Sequence, residues 1–299
     1  MKPRRVLAII NSEGGTVRRG DFDAATIQGM FREAGVEADV RFVPGDQVDA
    51  TASEAVRSGA DAVIAGGGDG TIRCVASHLA GRSIPLGVLP LGTLNHFARD
   101  LGIPVEIPDA VKVIAEGETR SIDVGEVNGE VFVNNSVLGI YPPVVQQRDR
   151  EREELDRNKW VATLTAALKV LPRNPLLRVR IRAEGMDVER HTRFLFVGNN
   201  EYEMNAFTYS ARSREPDGTF HLYVARTRGR LGMVGLLFLG LVRDLKTTEL
   251  VDCWTLPELT IETRERSVPV YLDGEVIVLE SPLRYRTRPG ALRVLAPRQ

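Results

Sequence analysis

The first 125 residues switch repeatedly between two hydrophobic periods, and this alternation constrains the fold more than any other feature of the sequence. Short apolar runs typical of buried strands alternate with segments whose apolar residues recur every three or four positions, as on one face of a helix. The strand-like runs are RVLAII (5–10), ADVRFV (38–43), DAVIA (61–65) and IPLGVL (84–89). Strands that alternate with helices form a parallel sheet with helices on its faces. The pattern predicts an α/β domain over residues 1–125.

Beyond residue 125 the sequence changes to short alternating segments separated by turn signals. Asn128-Gly129 lies between two such segments, and this pair is typical of a two-residue hairpin turn. Further strand-like runs occur at 178–184, 194–199, 219–225, 258–263, 268–280 and 283–288. They predict a second domain over residues 126–299, an antiparallel, sandwich-like β domain. This prediction allows the extreme C-terminus to pack against the first domain.

Composition and charge exclude several classes of protein. With 299 residues, 43% of them hydrophobic, the chain can bury a sizeable core, and its length suggests about two domains. Its 39 basic and 40 acidic residues nearly balance, so net charge indicates no nucleic-acid partner. Lysines are few, and any phosphate contact is therefore expected to come from arginine.

Cysteine, histidine and apolar residues indicate a soluble protein of a reducing compartment. Cys74 and Cys253 lie far apart and form no disulfide pattern, which favours the cytoplasm. The four histidines lack metal-ligand spacing. The basic N-terminus leads into polar residues after a short apolar run, unlike a signal peptide. No apolar stretch reaches the roughly 18 residues of a membrane span.

The stretch GGGDGT joins the third predicted strand to the following helix. Ligands of parallel sheets bind at the carboxyl ends of the strands, where this stretch lies. Glycines there allow positive φ and remove the Cβ atoms that would keep a phosphate away from backbone N–H groups. A tight turn would need only one or two glycines, so the stretch favours a phosphate-binding loop at the N-terminus of a helix. Its candidate binding residues are Gly66, Gly67, Gly68, Asp69, Gly70 and Thr71.

The loop matches neither of two common phosphate-binding motifs. A Walker loop needs a lysine, and none occurs between Lys2 and Lys112. A dinucleotide-binding fingerprint needs a third glycine where Arg73 stands. What remains is an acidic phosphate loop. Asp69 beside phosphates suits a divalent cation between them, or a carboxylate that accepts a proton from an incoming hydroxyl.

A second glycine-containing loop, PLGTLNHFARDLGIP (90–104), follows the fourth predicted strand. Two neighbouring strands therefore end in polar loops at the same edge of the sheet. Gly92, Thr93 and Asn95 are small or hydrogen-bonding residues that suit the walls of a nucleotide site.

Together, GGDGT, GTLNHFARDLGIP and DGE (273–275) resemble the diacylglycerol kinase catalytic family, which includes bacterial lipid kinases and sphingosine kinases and is distantly related to NAD kinases and phosphofructokinases. The resemblance covers nearly the whole chain. It implies a nucleotide-binding α/β domain, a β-rich domain and an active site in the cleft between them. NSEGG partly matches the family's N-terminal NPxSG loop, with Asn11 and Gly14 kept and Ser12 in place of proline, which implies that Asn11 binds nucleotide.

The DGE segment has two interpretations. By itself, Asp273-Gly274 is the expected type I′ turn of a hairpin. The resemblance implies that this turn also brings the carboxylates of Asp273 and Glu275 to the cleft opposite Asp69. Transfer of a phosphoryl group to an alcohol calls for positioning, Mg²⁺ and a carboxylate that receives the proton. Asp273 is the first choice for that base, and Asp69 is the alternative.

Two further acids follow from the resemblance. Asp123 resembles the acid at the family's domain junction and is expected near the nucleotide or substrate. Asp217, in EPDGTF, is either structural or an ion ligand, which makes Asp69 and Asp217 the predicted metal ligands.

The expected function is an ATP- and Mg²⁺-dependent kinase of lipid metabolism and phospholipid biosynthesis, acting on a lipid hydroxyl of the diacylglycerol or long-chain-base kind. One alternative is an NAD kinase-like enzyme, which shares GGDGT but not GTLNHFARDLG. Another is a catalytically silent nucleotide-binding regulator, because Arg73 and Cys74 stand where the family often has Asn and Glu. We interpret Cys74 as a small buried residue rather than a reactive thiol.

A lipid substrate requires contact with a membrane, and residues 231–242 form the longest apolar run. Arg230 and Arg243 flank it, and a helix of this length, about 18 Å, is too short to span a bilayer. Such a helix either lies at an anionic membrane surface or packs against the second domain. We therefore expect a cytoplasmic protein that contacts the inner face of the membrane peripherally, and the sequence leaves a homodimer open.

Overall fold

The computed structural model describes residues 5–14, 22–139, 176–199, 216–226, 229 and 250–298. The first part of the chain alternates strands and helices. Its strands are β1 (Arg5–Asn11), β2 (Glu37–Val43), β3 (Ala62–Gly67) and β4 (Leu86–Pro90). Its helices are α1 (Ala24–Glu33), α2 (Val48–Ala55), α3 (Asp69–Leu79), α4 (His96–Asp100) and α5 (Ile107–Glu116).

The four strands pair in parallel in the order β2-β1-β3-β4. All six residues of β3 are buried because this central strand is covered on both faces. The helices bury one apolar side each, as α1 does with Ile27 and Phe31. The predicted α/β domain is confirmed, and the carboxyl ends of β1, β3 and β4 meet at one edge of the sheet.

The second part consists of antiparallel strands, which confirms the predicted β-rich domain. They are β5 (Glu118–Val127), β6 (Glu130–Phe132), β7 (Asn135–Gly139), β8 (Leu177–Ala183), β9 (Met186–Thr192), β10 (Phe194–Gly198), β11 (Phe220–Ala225), β12 (Val251–Leu256), β13 (Glu258–Thr263), β14 (Ser267–Leu272), β15 (Glu275–Glu280) and β16 (Leu283–Ala296).

Within the described residues, one sheet of this part has the order β12-β11-β10-β7-β14-β15. It faces strands β5, β6, β8, β13 and β16 across a separate hydrophobic core. Phe132, Phe220 and Tyr285 meet at the centre of that core, with ring centroids about 6 Å apart, a distance at which aromatic pairs attract one another.

The last strand connects the two parts of the chain. Over its 14 residues β16 pairs antiparallel with β13 and β5, and at Val294 it pairs parallel with Leu86 of β4. A register shift between Arg288 and Leu292 lets it turn from one part to the other. The parallel sheet and half of the β sandwich are therefore hydrogen-bonded into one continuous sheet in the described chain.

Several elements were not predicted. The short helix α4 lies inside the segment interpreted as a loop, and α5, β7, β9 and β12 had no prediction. Strand β9, with sequence MDVERHT, carries charges on both faces and has only one fully buried residue, so it lacks the alternation that identifies a strand. Helix α5 could have been predicted, because its sequence has a proline in the first turn followed by apolar residues on one side of the helix.

Candidate active site

The predicted phosphate loop joins β3 directly to α3, with Gly68 at the N-cap of the helix. Glycine allows positive φ, but none of the loop glycines adopts it. Close packing requires them instead. A Cβ atom on Gly67 would lie 2.6 Å from Thr71 Oγ1, and one on Gly66 would lie 2.3 Å from Ile10 Cδ1.

The two glycine loops pack backbone against backbone. A Cβ atom on Gly92 would lie 2.4 Å from the Cα of Gly68, a separation that real Cβ atoms do not show. Glycine at position 92 therefore lets the loop after β4 lie directly on the loop after β3. The predicted proximity of these two loops follows from this contact.

Asp69 links the same two loops through its side chain. It is half-buried, and its carboxylate accepts hydrogen bonds from the backbone N–H groups of Phe97 at 3.0 Å and His96 at 3.2 Å. The Asp69 side chain therefore caps the N-terminus of α4, although Asp69 itself is the first residue of α3. Each carboxylate oxygen accepts one of these bonds and keeps further acceptor capacity for a ligand.

Asn95 shapes the second loop from within. This buried residue has a φ of 51°, in the left-handed region. Its Oδ1 accepts a hydrogen bond from the Gly92 N–H at 2.9 Å, and its Nδ2 donates to the carbonyl oxygens of Pro90 and Gly92. The side chain of Asn95 is thus bound to its own loop, whereas Thr93 is exposed at the surface of that loop.

Asn11 brings a third loop to the same edge of the sheet. At the end of β1, its Nδ2 donates to Thr71 Oγ1 at 3.1 Å, and its Oδ1 accepts from the Glu13 N–H at 2.9 Å. The Gly14 N–H donates to the Asn11 carbonyl oxygen. The structure therefore brings together Asn11, the loop at 66–71 and the loop after β4, as predicted from three separate stretches of sequence.

The hairpin between β14 and β15 reaches the phosphate loop from the second domain. Asp273 and Gly274 have φ values of 46° and 107°, which confirms the predicted type I′ turn. The next residue, Glu275, is about half exposed and lies over Gly70, where an added Cβ atom would be 2.6 Å from Glu275 Oε1. A carboxylate of the second domain therefore lies directly on the loop predicted to bind phosphate.

Asp273 lies below this hairpin and is only 3% exposed. Its carboxylate accepts backbone N–H hydrogen bonds from Val133 at 2.5 Å, Asn134 at 2.8 Å and Asn135 at 2.9 Å. Burial raises the pKa of Asp273 to about 6, against the opposing effect of the three N–H groups. The residue holds the turn between β6 and β7 against the hairpin.

Asp123, on β5, lies beside the register shift of β16 within the continuous sheet. Its buried carboxylate accepts the N–H groups of Gly218 at 2.8 Å and Gly290 at 2.7 Å. Asn199 donates to its carbonyl oxygen. Asp217 is exposed, and its Oδ1 accepts hydrogen bonds from the N–H and hydroxyl of Thr219. Both acids hold turns of the backbone, and their predicted ligand roles stay predictions.

Arg73 is the site residue whose role the sequence did not reveal. It is 8% exposed on α3, and its Nη2 donates to Glu275 Oε2 at 2.5 Å, while its Nη1 lies 3.7 Å from Glu130 Oε2. Its neighbour Cys74, which we interpreted as buried, is only partly buried. Desolvation still raises the pKa of its thiol to about 11, so the thiol is protonated at neutral pH. The one sequence signal for Arg73 was its departure from the family pattern.

The donors at the loop suit a metal ion that arrives with a nucleotide. Among the residues that the structure describes, no group of three or more His, Cys, Asp or Glu side chains could hold an ion. Mg²⁺ in kinases is commonly held by one or two carboxylates together with the phosphates of the substrate. The spare acceptor capacity of Asp69, beside the predicted phosphate loop, fits that arrangement.

The apolar run 231–242 falls outside the described residues. So do the stretch of mixed charge RDREREELDRNK (148–159) and the helix that the spacing of Trp160, Leu164, Leu168 and Leu171 predicts after it. In the described ranges, no helix has the length and hydrophobicity needed to cross a bilayer.

Comparison with known proteins identifies the family. Residues 5–127 match the model of the diacylglycerol kinase catalytic domain. A Pseudomonas aeruginosa protein named "probable lipid kinase YegS-like" is 34% identical over 302 residues, which cover 99% of this chain and 96% of that protein. The chain belongs to the diacylglycerol kinase family of lipid kinases. It is therefore a kinase, and the family implies ATP as co-substrate.

A second relative and two solved structures are also similar to this chain. A Mycobacterium tuberculosis protein named diacylglycerol kinase is 28% identical over 279 residues, covering 90% of this chain and 87% of that protein. Two Bacillus anthracis structures named as diacylglycerol kinases, one of them only provisionally, have TM-scores of 0.76 and 0.71 and sequence identities of 24% and 22%. Each comparison covers 99% of this chain and 98% of the other. They show the shared fold.

We predict that Gly92→Ala destabilises the protein, because the new Cβ atom meets backbone atoms of Gly68 that cannot rotate away. The free energy of unfolding, measured with urea, should fall by about 1–3 kcal/mol, as for other overpacked sites. Gly29→Ala is the control, since its Cβ atom meets nothing within 4 Å in α1. It should leave stability unchanged or raise it by up to about 1 kcal/mol. Equal stabilities of the two variants would contradict the close packing of the loops.

We predict a pH-dependent contribution of Asp273 to stability. Its pKa is about 6 in the folded protein and 3.8 in the unfolded chain, so between these values the folded state binds more protons. The free energy of unfolding that Asp273 contributes is therefore complete below about pH 4 and is lost as the pH rises to about 6. Relative to Asp273→Asn, wild-type stability should fall by about 3 kcal/mol over this range in urea titrations. A difference independent of pH would show that the buried carboxylate titrates normally.

Proposed function

We propose that this kinase is ATP- and Mg²⁺-dependent and phosphorylates the hydroxyl of a lipid of the diacylglycerol or long-chain-base type, as a step of phospholipid biosynthesis. One observation carries the proposal: Glu275 of the second domain lies over Gly70 of the phosphate loop. A nucleotide on that loop and a lipid at the second domain would then meet where carboxylates are available. The family supports the lipid acceptor, and its named relatives are lipid and diacylglycerol kinases.

The nucleotide would bind at the edge where β1, β3 and β4 end. We propose that the backbone of the loop at 66–71 receives the phosphates at the start of α3, where the helix dipole favours an anion. The loop contacts made by Asn11 and Asn95 keep the surrounding backbone in place for this purpose. Thr93 and the predicted ligand Asp123 complete the proposed nucleotide site.

The reaction needs a base for the acceptor hydroxyl and neutralisation of the phosphate charge. Mg²⁺ would supply charge neutralisation when bound, with Asp69, and Asp217 as predicted, among its ligands. We propose that Asp273 receives the proton of the hydroxyl, because with a pKa of about 6 its carboxylate is ionised at neutral pH and fixed by three N–H donors. Asp69 is the alternative base. A purely structural role, in which Asp273 anchors the turn at 133–135, agrees equally well with its burial. The variants Asp273→Asn and Glu275→Gln, described below, distinguish this role from that of the base.

A lipid substrate would require the enzyme to reach a membrane. We infer a cytoplasmic enzyme that contacts the inner membrane surface peripherally, through the basic ends of the apolar run 231–242. A homodimer is compatible with this arrangement and is tested by sedimentation velocity.

Incubation with γ-labelled ATP, Mg²⁺ and a total lipid extract tests the proposal, with NAD in a parallel reaction. We expect the label in the organic phase. Label on NAD would instead support the NAD kinase-like alternative. Transfer to neither acceptor by a protein that binds ATP would support the nucleotide-binding regulator.

We predict that Asp69→Asn lowers kcat at least about 100-fold, because it removes the charge proposed for metal binding and proton transfer. Asparagine keeps the shape of the side chain and one acceptor for the N–H groups of α4, so the melting temperature should change little. Asp109→Asn is the control, since this exposed acid pairs only with Lys112 in the described contacts of α5. Turnover of Asp69→Asn near that of the control would exclude Asp69 from the chemistry.

We predict that Glu275→Gln gives a folded enzyme, because the side chain is half exposed and glutamine keeps an acceptor for Arg73 Nη2. Its kcat should fall at least about 10-fold, because the variant removes the negative charge over the phosphate loop. Asp273→Asn should be less stable, since the amide nitrogen cannot accept the Val133 N–H, and inactive if Asp273 is the base. Melting temperature and turnover are measured on the same samples. A folded Asp273→Asn enzyme with wild-type turnover would show that Asp273 only anchors the turn. A fully active Glu275→Gln enzyme would show that the carboxylate of Glu275 takes no part in the mechanism.

A further inference from the structure

We propose that Arg73 is a positioning residue that holds the carboxylate of Glu275 over the phosphate loop, an inference that rests on the proposed function of that loop. Arg73 lies one turn after Gly70 on α3, so the two residues share a face of the helix. Its Nη2 donates to Glu275 Oε2 at 2.5 Å. The other oxygen of the same carboxylate, Oε1, lies against Gly70. Arg73 thus fixes which oxygen of Glu275 faces the loop.

The burial of Arg73 makes this contact strong. The residue is 8% exposed, and a guanidinium removed from water needs carboxylate partners to offset the loss of hydration. Both of its ion-pair partners among the described residues come from beyond the α/β domain: Glu275 on β15 and, at 3.7 Å, Glu130 on β6. Among the described residues its Nε atom has no hydrogen-bond partner, and Glu275 provides the one short hydrogen bond of the group. The ion pair therefore connects α3 to the hairpin that carries Glu275.

Charge explains why the arrangement matters for phosphate binding. An isolated carboxylate over the loop would repel the phosphates of a nucleotide, since like charges at such distances cost energy even in a partly solvated site. A guanidinium 2.5 Å from Glu275 offsets that repulsion while leaving Oε1 directed at the loop. Arginine suits this task because its planar guanidinium directs one terminal nitrogen at Glu275 and the other at Glu130, which the single ammonium group of lysine cannot do.

The contact predicts a distinct kinetic pattern. If Arg73 acts through Glu275, Arg73→Gln should lower kcat about 10- to 100-fold and change the KM for ATP by less than about threefold. Arg73→Lys keeps the charge but not the planar guanidinium and should recover part of the lost turnover. Arg73→Gln should cause little further loss in an enzyme that already carries Glu275→Gln, because the two residues act as a unit.

Steady-state kinetics with lipid, ATP and Mg²⁺ test this inference on the wild-type enzyme, Arg73→Gln, Arg73→Lys, Glu275→Gln and the double variant, with melting temperatures measured in parallel. Glu130→Gln is the matched control, because it removes the more distant partner of Arg73 and should change kcat by less than about threefold. Absence of turnover by wild-type enzyme would overturn the proposed function and the inference with it. Active wild-type enzyme with unchanged kcat in Arg73→Gln, or fully multiplicative losses in the double variant, would overturn the inference alone. Unfolding of both Arg73 variants at the assay temperature would make Arg73 a stability residue and would also overturn it.

Discussion

The contact between the hairpin at 273–275 and the loop at 66–71 is the interaction on which the site depends. The loop has no side chain at Gly70, so Glu275 can lie on it, and Arg73 of the adjoining helix binds the same carboxylate. Asp273, two residues earlier, fastens the hairpin to the backbone of the turn at 133–135. One short turn is thus held from both sides, by the α/β domain and by the β sandwich.

Hydrogen bonds between the two domains fix the relative position of this hairpin and loop. Strand β16 hydrogen-bonds to β4 in one domain and to β13 in the other, so the two parts share one sheet in the described chain. Asp123 accepts hydrogen bonds from the N–H groups of Gly218 and of Gly290, which lies in the register shift of β16. The two parts of the chain that supply the proposed site are thus joined by backbone hydrogen bonds.

The sequence predicted those parts of the fold that depend on residues close together in the chain. The α/β alternation and the type I′ turns at 128–129 and 273–274 follow from periodicity and from residues that tolerate positive φ, and both were confirmed. Long-range contacts could not be predicted in this way. Arg73 and Glu275 are 202 positions apart, and the need for glycine at position 92 arises only because Gly68 packs against it. None of the glycines in the phosphate loop has positive φ. Close contacts require them instead, at Gly66 with Ile10 and at Gly70 with Glu275, which are distant in sequence.

The central claim is that the loop at 66–71 binds the phosphates of ATP under the hairpin of the second domain. A crystal structure of the protein with Mg²⁺ and a non-hydrolysable ATP analogue tests it most directly. The account predicts the phosphates against the backbone N–H groups of this loop, with Asp69 near the ion and Glu275 still bound to Arg73 beside them. Phosphates bound elsewhere, or a hairpin displaced from the loop when nucleotide binds, would contradict it.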